Sequence, residues 1–250
     1  MLIIFSLIVM RMSGMILMNP IFGSRSIPAR VKAALILVFS LMLYTWIGGE
    51  LLHEPASLLE YGVMLVMELL MGFVLGFAMD LAVFAVRYAA AIIDFTMGLS
   101  MAQVYDPETR NQITVSSEML YAFLILLFLA VDGHLRMVSI FFGSASLIPF
   151  GQVTFGPALY EAILGIFREA VILGVQIAFP VIAMELVTEA AVGIMMRMIP
   201  QINVFSINFQ IKIIVGMLML LFLLSPIADK FKELIEGIFQ NFDYLLRLMQ

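Results

Sequence analysis

Five predominantly apolar stretches of this chain carry no charged side chain: Ala33–Gly49, Met119–Val131, Met137–Tyr160, Ala170–Met184 and Ile213–Ala228. They run for 17, 13, 24, 15 and 16 residues. A helix needs roughly 20 apolar residues to cross a bilayer. Only Met137–Tyr160 is longer, and Pro149, Gly151 and Pro157 break it. The chain is too apolar for a water-soluble domain, yet its runs are too short and too interrupted for plain lipid-facing spans. Charged residues make up 12% of its 250 residues, where a soluble domain averages about 25%. Mean hydropathy is +1.10. These values predict a membrane protein, or one held inside a membrane-bound assembly. Net charge is −5 and the basic residues form no cluster, so no nucleic-acid partner is expected. There is no cysteine, which excludes disulfides, thiolate metal sites and cysteine nucleophiles.

Apolar periodicity and Pro/Gly punctuation predict helices over 2–18, 31–48, 59–102, 117–131, 135–147, 157–198 and 204–227, with an amphipathic tail near 228–248. No β-type alternation persists, so the predicted class is all-α: a polytopic membrane protein of long, broken helices and helical hairpins. The start, "MLIIFSLIVMRMSGMILMNP", lacks a basic n-region and is interrupted by Arg11, so it reads as a first helix rather than a cleaved leader. Segments 59–102 and 157–198, at about 60 Å each if fully helical, exceed a hydrocarbon core of about 30 Å. They are expected to bend, break or fold into hairpins, with Pro180 as one hinge.

Charges inside these apolar segments stand out. Asp80, Arg87 and Asp94 are seven residues apart, which returns a helix to within about 20° of the same face. Glu185 and Glu189 share a face at i, i+4, and Gly193 and Arg197 continue it. A charge facing lipid at mid-bilayer costs about 2.5–3.5 kcal/mol even on lenient scales. Asp80, Arg87 and Asp94 are therefore expected to find partners in protein or water, either through ion pairs with the chain's own helices or against neighbouring subunits. Glu185 and Glu189 are read with them as subunit-contact or buried charges. Gly72 and Gly76 form a G-x-x-x-G spacing that permits close helix approach.

The segment "MAQVYDPETRNQITVSSEM", Met101–Met119, is the opposite case: a polar, Pro-containing stretch near the middle of an apolar chain. It reads either as a surface loop or as a working part. Chemistry is otherwise sparse. His53 and His134 are the only histidines, both placed as loop or cap residues. No His-Glu-x-x-His, phosphate-binding loop or Ser nucleophile elbow occurs. No enzyme activity, cofactor or metal is expected. Methionine is abundant, 21 of 250. It suits an adaptable core or a deformable seal around a passing polypeptide.

Four stretches carry a resemblance: "RMSGMILMNPIFGSRSIPARVKAAL" (11–35), "AVRYAAAIIDFTMGLSMAQVYDP" (85–107), "LLFLAVDGHLRMVSIFFGSASLIPFG" (126–151) and "RMIPQINVFSINFQIKIIVG" (197–216). Together they resemble the FliR/SctT family of type III secretion export-gate membrane proteins, in the family's order and over nearly the whole chain. "PIFGSRSIPARVK" leans toward the flagellar branch. The family-motif positions are Pro20, Phe22, Ser24, Arg25, Pro28 and Arg30, then Pro200, Gln201, Asn203 and Phe205.

The resemblance implies a place in a helical hetero-oligomeric export gate, built with FliP-type and FliQ-type membrane subunits around a narrow channel, with FlhB and FlhA attached. Residues 1–155 would be a FliP-like portion and 156–250 a FliQ-like helical hairpin with an amphipathic C-terminal tail. The gate would pass unfolded flagellar subunits across the bacterial inner membrane, within the flagellar basal body, with energy supplied elsewhere by the proton gradient and a cytoplasmic ATPase. The family's corresponding loop helps plug the closed channel. That role would fall on Tyr105, Asp106, Pro107, Glu108 and Thr109, and on Arg110, Asn111, Gln112, Ile113 and Thr114. Two departures are visible. Asn208-Phe209-Gln210 stands where the family commonly has Gly-Phe-Pro, which predicts continuous helix in place of a turn. Ala90-Ala91 stands where a family carboxylate lies, with Asp94 one helical turn later.

A reading from another class is a secondary transporter or proton-coupled channel, with Asp80, Arg87, Asp94, Glu185 and Glu189 as relay or substrate site. It calls for matched halves, and no convincing internal repeat is present. Arg25, Arg30 and Lys32 follow the first helix while Glu50, Glu54 and Glu60 mark the next loop. The positive-inside rule then puts the 20–32 loop on the cytoplasmic side.

Overall fold

The computed structural model describes residues 2–24, 26–48, 54–99, 104–106, 111–113, 115–198 and 204–250. Seven helices follow in order: α1 (Leu2–Leu17), α2 (Ala29–Ile47), α3 (Leu58–Met97), α4 (Val115–Ala130), α5 (Gly133–Leu147), α6 (Pro157–Met198) and α7 (Val204–Leu248). Between α3 and α4 lies an antiparallel ribbon of β1 (Val104–Asp106) and β2 (Asn111–Ile113). Four helices (α2, α3, α6 and α7) are long and apolar enough to cross a membrane, and the bent pair α4–α5 makes a fifth if counted as one span. The fold is that of an all-α polytopic membrane protein.

Three sequence expectations are corrected. α3 and α6 are each one unbroken helix of 40 and 42 residues, not broken helices or hairpins. No glycine or proline inside them adopts a helix-ending conformation. Pro180 removes one backbone hydrogen bond and leaves the helix continuous, because both of its flanks keep packing through Ile177, Ala178 and Val181, all buried. The stretch 228–248 is not a separate tail, since α7 is continuous through Pro226. Its amphipathic pattern holds: Phe231, Ile235, Ile238, Phe242 and Leu245 recur at spacings of three and four and are all buried. Finally, a short β-ribbon exists where no strand was expected, pairing Val104 with Ile113, Tyr105 with Gln112 and Asp106 with Asn111. Three-residue strands are too short for alternation to register as a pattern.

The residues form two compact units, each drawing on both sides of residue 155: 1–83, 128–168 and 235–250 in the first, 84–127 and 169–234 in the second. In the first unit α1 is the central element, with Ile4, Leu7, Ile8, Met12, Met15 and Ile16 buried to 2% exposure or less. It crosses α3 at two glycines. A Cβ on Gly14 would stand 2.7 Å from the Phe73 amide nitrogen, and one on Gly72 2.7 Å from that of Met15. Only bare backbones fit there, so the G-x-x-x-G spacing does bring helices together. α4 meets α5 through a 69° bend at Asp132, whose φ is +55°. The chain's last residues fold back onto the post-α5 loop: Thr154 donates from its amide to the Met249 carbonyl and from Oγ1 to that of Gln250.

In the second unit Gly174 of α6 lies against Ala85 and Tyr88 of α3, and Gly216 of α7 against Met97. Phe123 of α4 packs on Phe231 of α7 with ring centroids 5.8 Å apart. α3 ends at Met97, earlier than 102, because Gly98 turns left-handed at φ +79°.

Candidate functional site

The most completely satisfied polar group lies in the first unit. Arg11 of α1 and Glu68 of α3 have side chains with no exposure at all. Arg11 Nε donates to Glu68 Oε2 at 2.5 Å and Nη2 to Oε1 at 3.0 Å, a bidentate pair. Arg11 Nη1 donates to the carbonyls of Ser144 (3.2 Å) and Ile148 (2.9 Å), at the C-terminal end of α5 where cations are favoured. The guanidinium carbon lies 4.1 Å from the Phe150 ring centroid, and Gly151 donates its amide to Glu68 Oε1 at 2.8 Å. One ion pair thus joins α1, α3 and the turn after α5. The sequence reading took Arg11 as an interruption and passed over Glu68. The available signal was a lone charge, Arg11, on α1 and an acid, Glu68, inside an apolar stretch of α3.

The motif turn after α1 is held by Asn19, 1% exposed. Its Oδ1 accepts from the amides of Ile21 (2.8 Å) and Phe22 (3.0 Å), while Nδ2 points at the Met137 sulfur, 3.1 Å away. A Cβ on Gly23 would lie 2.5 Å from both the Asn19 and Ile16 carbonyl oxygens, so glycine is required. Lys32 Nζ donates to the Gly23 carbonyl at 2.8 Å, and Ser24 pairs with Ser26. Pro28 opens α2 at φ −56°, and Arg30 is exposed on its first turn. Pro20 and Phe22 are half-buried; Arg25 lies outside the described residues.

In the second unit the polar segment is fastened at its base. Asp94, fully buried near the end of α3, accepts from the amide (3.0 Å) and the hydroxyl of Ser116, at the first turn of α4. A carboxylate there also meets the positive end of the helix. Arg87, seven residues earlier, is exposed and lies 4.6 Å over the Tyr121 ring of α4. Asp80 is exposed as well. The seven-residue spacing therefore does not give the three charges one environment: only Asp94 is buried. Of the expected plug positions, Tyr105 and Asp106 lie in β1 and Asn111, Gln112 and Ile113 in β2. Pro107, Glu108, Thr109, Arg110 and Thr114 fall outside the described residues.

Glu185 and Glu189 differ in the same way. Glu185 is 3% exposed, whereas Glu189 is exposed and paired with Lys212 of α7. Pro200, Gln201 and Asn203 are outside the described residues, and Phe205 lies in the first turn of α7. That helix continues through Asn208-Phe209-Gln210, where a turn had been expected only in relatives. His53 is outside the described residues; His134 is half-buried in the first turn of α5. Among the described residues no three His, Asp or Glu side chains gather to hold a metal ion.

Residues 2–238 match the family described as bacterial export proteins, family 1. The chain belongs to that family. Among its relatives are proteins described as flagellar biosynthetic protein FliR. The one from Pectobacterium carotovorum subsp. carotovorum is 32% identical over 227 residues, covering 89% of this chain and 84% of the relative. The one from Escherichia coli (strain K12) is 30% identical over 232 residues, 92% and 87%. The one from Bacillus subtilis (strain 168) is 29% identical over 229 residues, 89% and 86%. The family resemblance drawn from the four sequence stretches is borne out, and with it a membrane component of flagellar protein export. In this chain Asn19 and Gly23 have a plain physical role: they let the chain turn tightly after α1.

Proposed function

We propose that this chain is a subunit of the flagellar type III export gate, forming with FliP-type and FliQ-type subunits the channel that passes unfolded flagellar proteins across the bacterial inner membrane. One observation carries the reading. α3 and α6 have the length and hydropathy of membrane spans, yet Asp80, Arg87 and Glu189 are exposed along them. Lipid would charge about 2.5–3.5 kcal/mol for each such group, whereas a neighbouring subunit or a water-filled lumen accepts it. FlhB and FlhA would attach to the assembly rather than line it. On this reading residues 1–155 are the FliP-like and 156–250 the FliQ-like portion.

The segment between α3 and α4 is then the channel plug. Its base is held by Asp94 and Ser116, while its own sequence, rich in polar residues, has too little apolar surface to lock shut. Deleting Glu108–Thr114 tests this: the complex should still assemble and export, and the membrane should leak small ions. An assembled complex with unchanged ion permeability overturns the plug assignment. Failure of the wild-type chain to co-purify with FliP-type and FliQ-type subunits overturns the gate itself.

A further inference from the structure

On α6 and α7 two acids meet one base. Glu185 is buried, and neither of its carboxyl oxygens has a hydrogen-bond partner. The nearby hydroxyl of Thr188 is spent on its own helix, donating to the Met184 carbonyl at 3.0 Å. The charged groups facing Glu185 are Lys212, from α7, and Glu189, one turn along α6. Of the charges that α3 and α4 bring to the same unit, the Asp94 carboxylate is engaged with Ser116 and Arg87 with the Tyr121 ring, while Glu118 is exposed in the first turn of α4. Lys212 is bonded to Glu189, whose side chain is 50% exposed against 15% for the lysine. The group therefore holds two carboxyls, one ammonium and one acceptor left without a donor, in apolar surroundings where each charge needs a partner.

Side chains four apart on a helix face are neighbours, about 5–6 Å between Cβ atoms. A lysine ammonium on its flexible four-carbon stem swings across such a gap. Glu185 and Glu189 are thus alternative seats for one ammonium, the first inside and the second at the surface. We propose that this group is a docking point for a basic side chain of a neighbouring polypeptide. The incoming ammonium or guanidinium takes the exposed Glu189 carboxylate, and Lys212 moves one helical turn inward to Glu185. Two acids then face two bases, and the orphaned carboxyl gains its donor only in the docked state. Charge complementarity fixes the chemistry of the partner: a Lys or Arg side chain, not a metal, for which two carboxyls beside an ammonium are a poor site. The proposal rests on the reading of the chain as an assembly subunit.

The test uses the wild-type full chain in its native membranes. An apolar carbodiimide joins adjacent carboxyl and amine groups, after which detergent extracts are separated by size and the joined peptides are mapped. In the assembled fraction Lys212 should be joined to Glu185, and in the unassembled fraction to Glu189. Lys212 joined to Glu189 in both fractions overturns the proposal. A carbodiimide adduct on Glu185 with Lys212 still on Glu189 also overturns it, and makes the occupant a proton. As a second measurement, Glu185→Gln should leave the amount of chain in the membrane unchanged and lower its recovery in the complex several-fold, as should Glu189→Gln. Wild-type recovery of Glu185→Gln refutes the exchange. If the wild-type chain enters no larger complex at all, the assembly reading itself has failed, and that is visible before any peptide is mapped.

Discussion

Removing the Glu68 carboxylate is the sharpest perturbation of the first unit. Glu68→Ala takes away the acceptor for Arg11 Nε, Arg11 Nη2 and the Gly151 amide at once. It leaves a guanidinium with no exposure and no counter-ion. Breaking a buried pair on one side costs about 3–5 kcal/mol. The stranded Gly151 amide adds about 1–3 kcal/mol unless water reaches it. The lower figure alone is a large part of the roughly 5–15 kcal/mol that holds a typical protein folded. At about 2–4 °C per kcal/mol for a chain of this size, the pair's share lowers the unfolding midpoint by about 6–20 °C. The double replacement Arg11→Met, Glu68→Met should recover part of that loss, because no charge is then left buried. It cannot recover all of it, since the Ser144 and Ile148 carbonyls lose their Arg11 donor. The assay is thermal unfolding of the full chain, extracted in mild detergent with whatever subunits accompany it, followed by the fraction remaining monodisperse after heating. A Glu68→Ala midpoint within about 2 °C of wild type refutes the reasoning. So does a double variant whose loss equals the sum of the two single losses, since coupled partners are not additive.

Gly72→Ala should cost about 1–3 kcal/mol or more by overpacking, since the new Cβ meets only backbone atoms of Arg11, Gly14 and Met15; an unchanged unfolding midpoint contradicts a rigid α1–α3 crossing. Ser116→Ala removes the hydroxyl donor to Asp94 but keeps the amide bond, at about 1.5–3 kcal/mol for a hydrogen bond to a charged group. Hydrogen exchange should then quicken in the first turn of α4 and not in α5. Arg87→Ala should lower recovery of the assembled complex more than Arg87→Lys, because lysine keeps the charge and some of the contact with the Tyr121 ring; equal recovery for both and for wild type would place Arg87 in water rather than at an interface.

The sequence alone determined the all-α class and the class of solvent. A charge content of 12% and a mean hydropathy of +1.10 point to a membrane protein or to one held inside a membrane-bound assembly. Pro28, Asp132-Gly133 and Pro157 then mark where helices begin, because proline and glycine act on the backbone within a residue or two. It also revealed the family, since motif residues such as Pro20, Phe22 and Pro28 are local in the chain. Which charges are buried was not legible. Asp94 and Asp80 share a spacing, as do Glu185 and Glu189, yet one of each pair is buried and the other exposed. Periodicity reports the face of a helix but not what covers that face along its length. Tertiary structure alone decided that Arg11 meets Glu68, 57 residues away. That pairing depends on α1 and α3 crossing at Gly14 and Gly72, a few residues further along each helix. A single sequence offers those glycines and those charges separately; only the packed helices put them at one crossing, where the close backbones bring the two side chains together and shut out water.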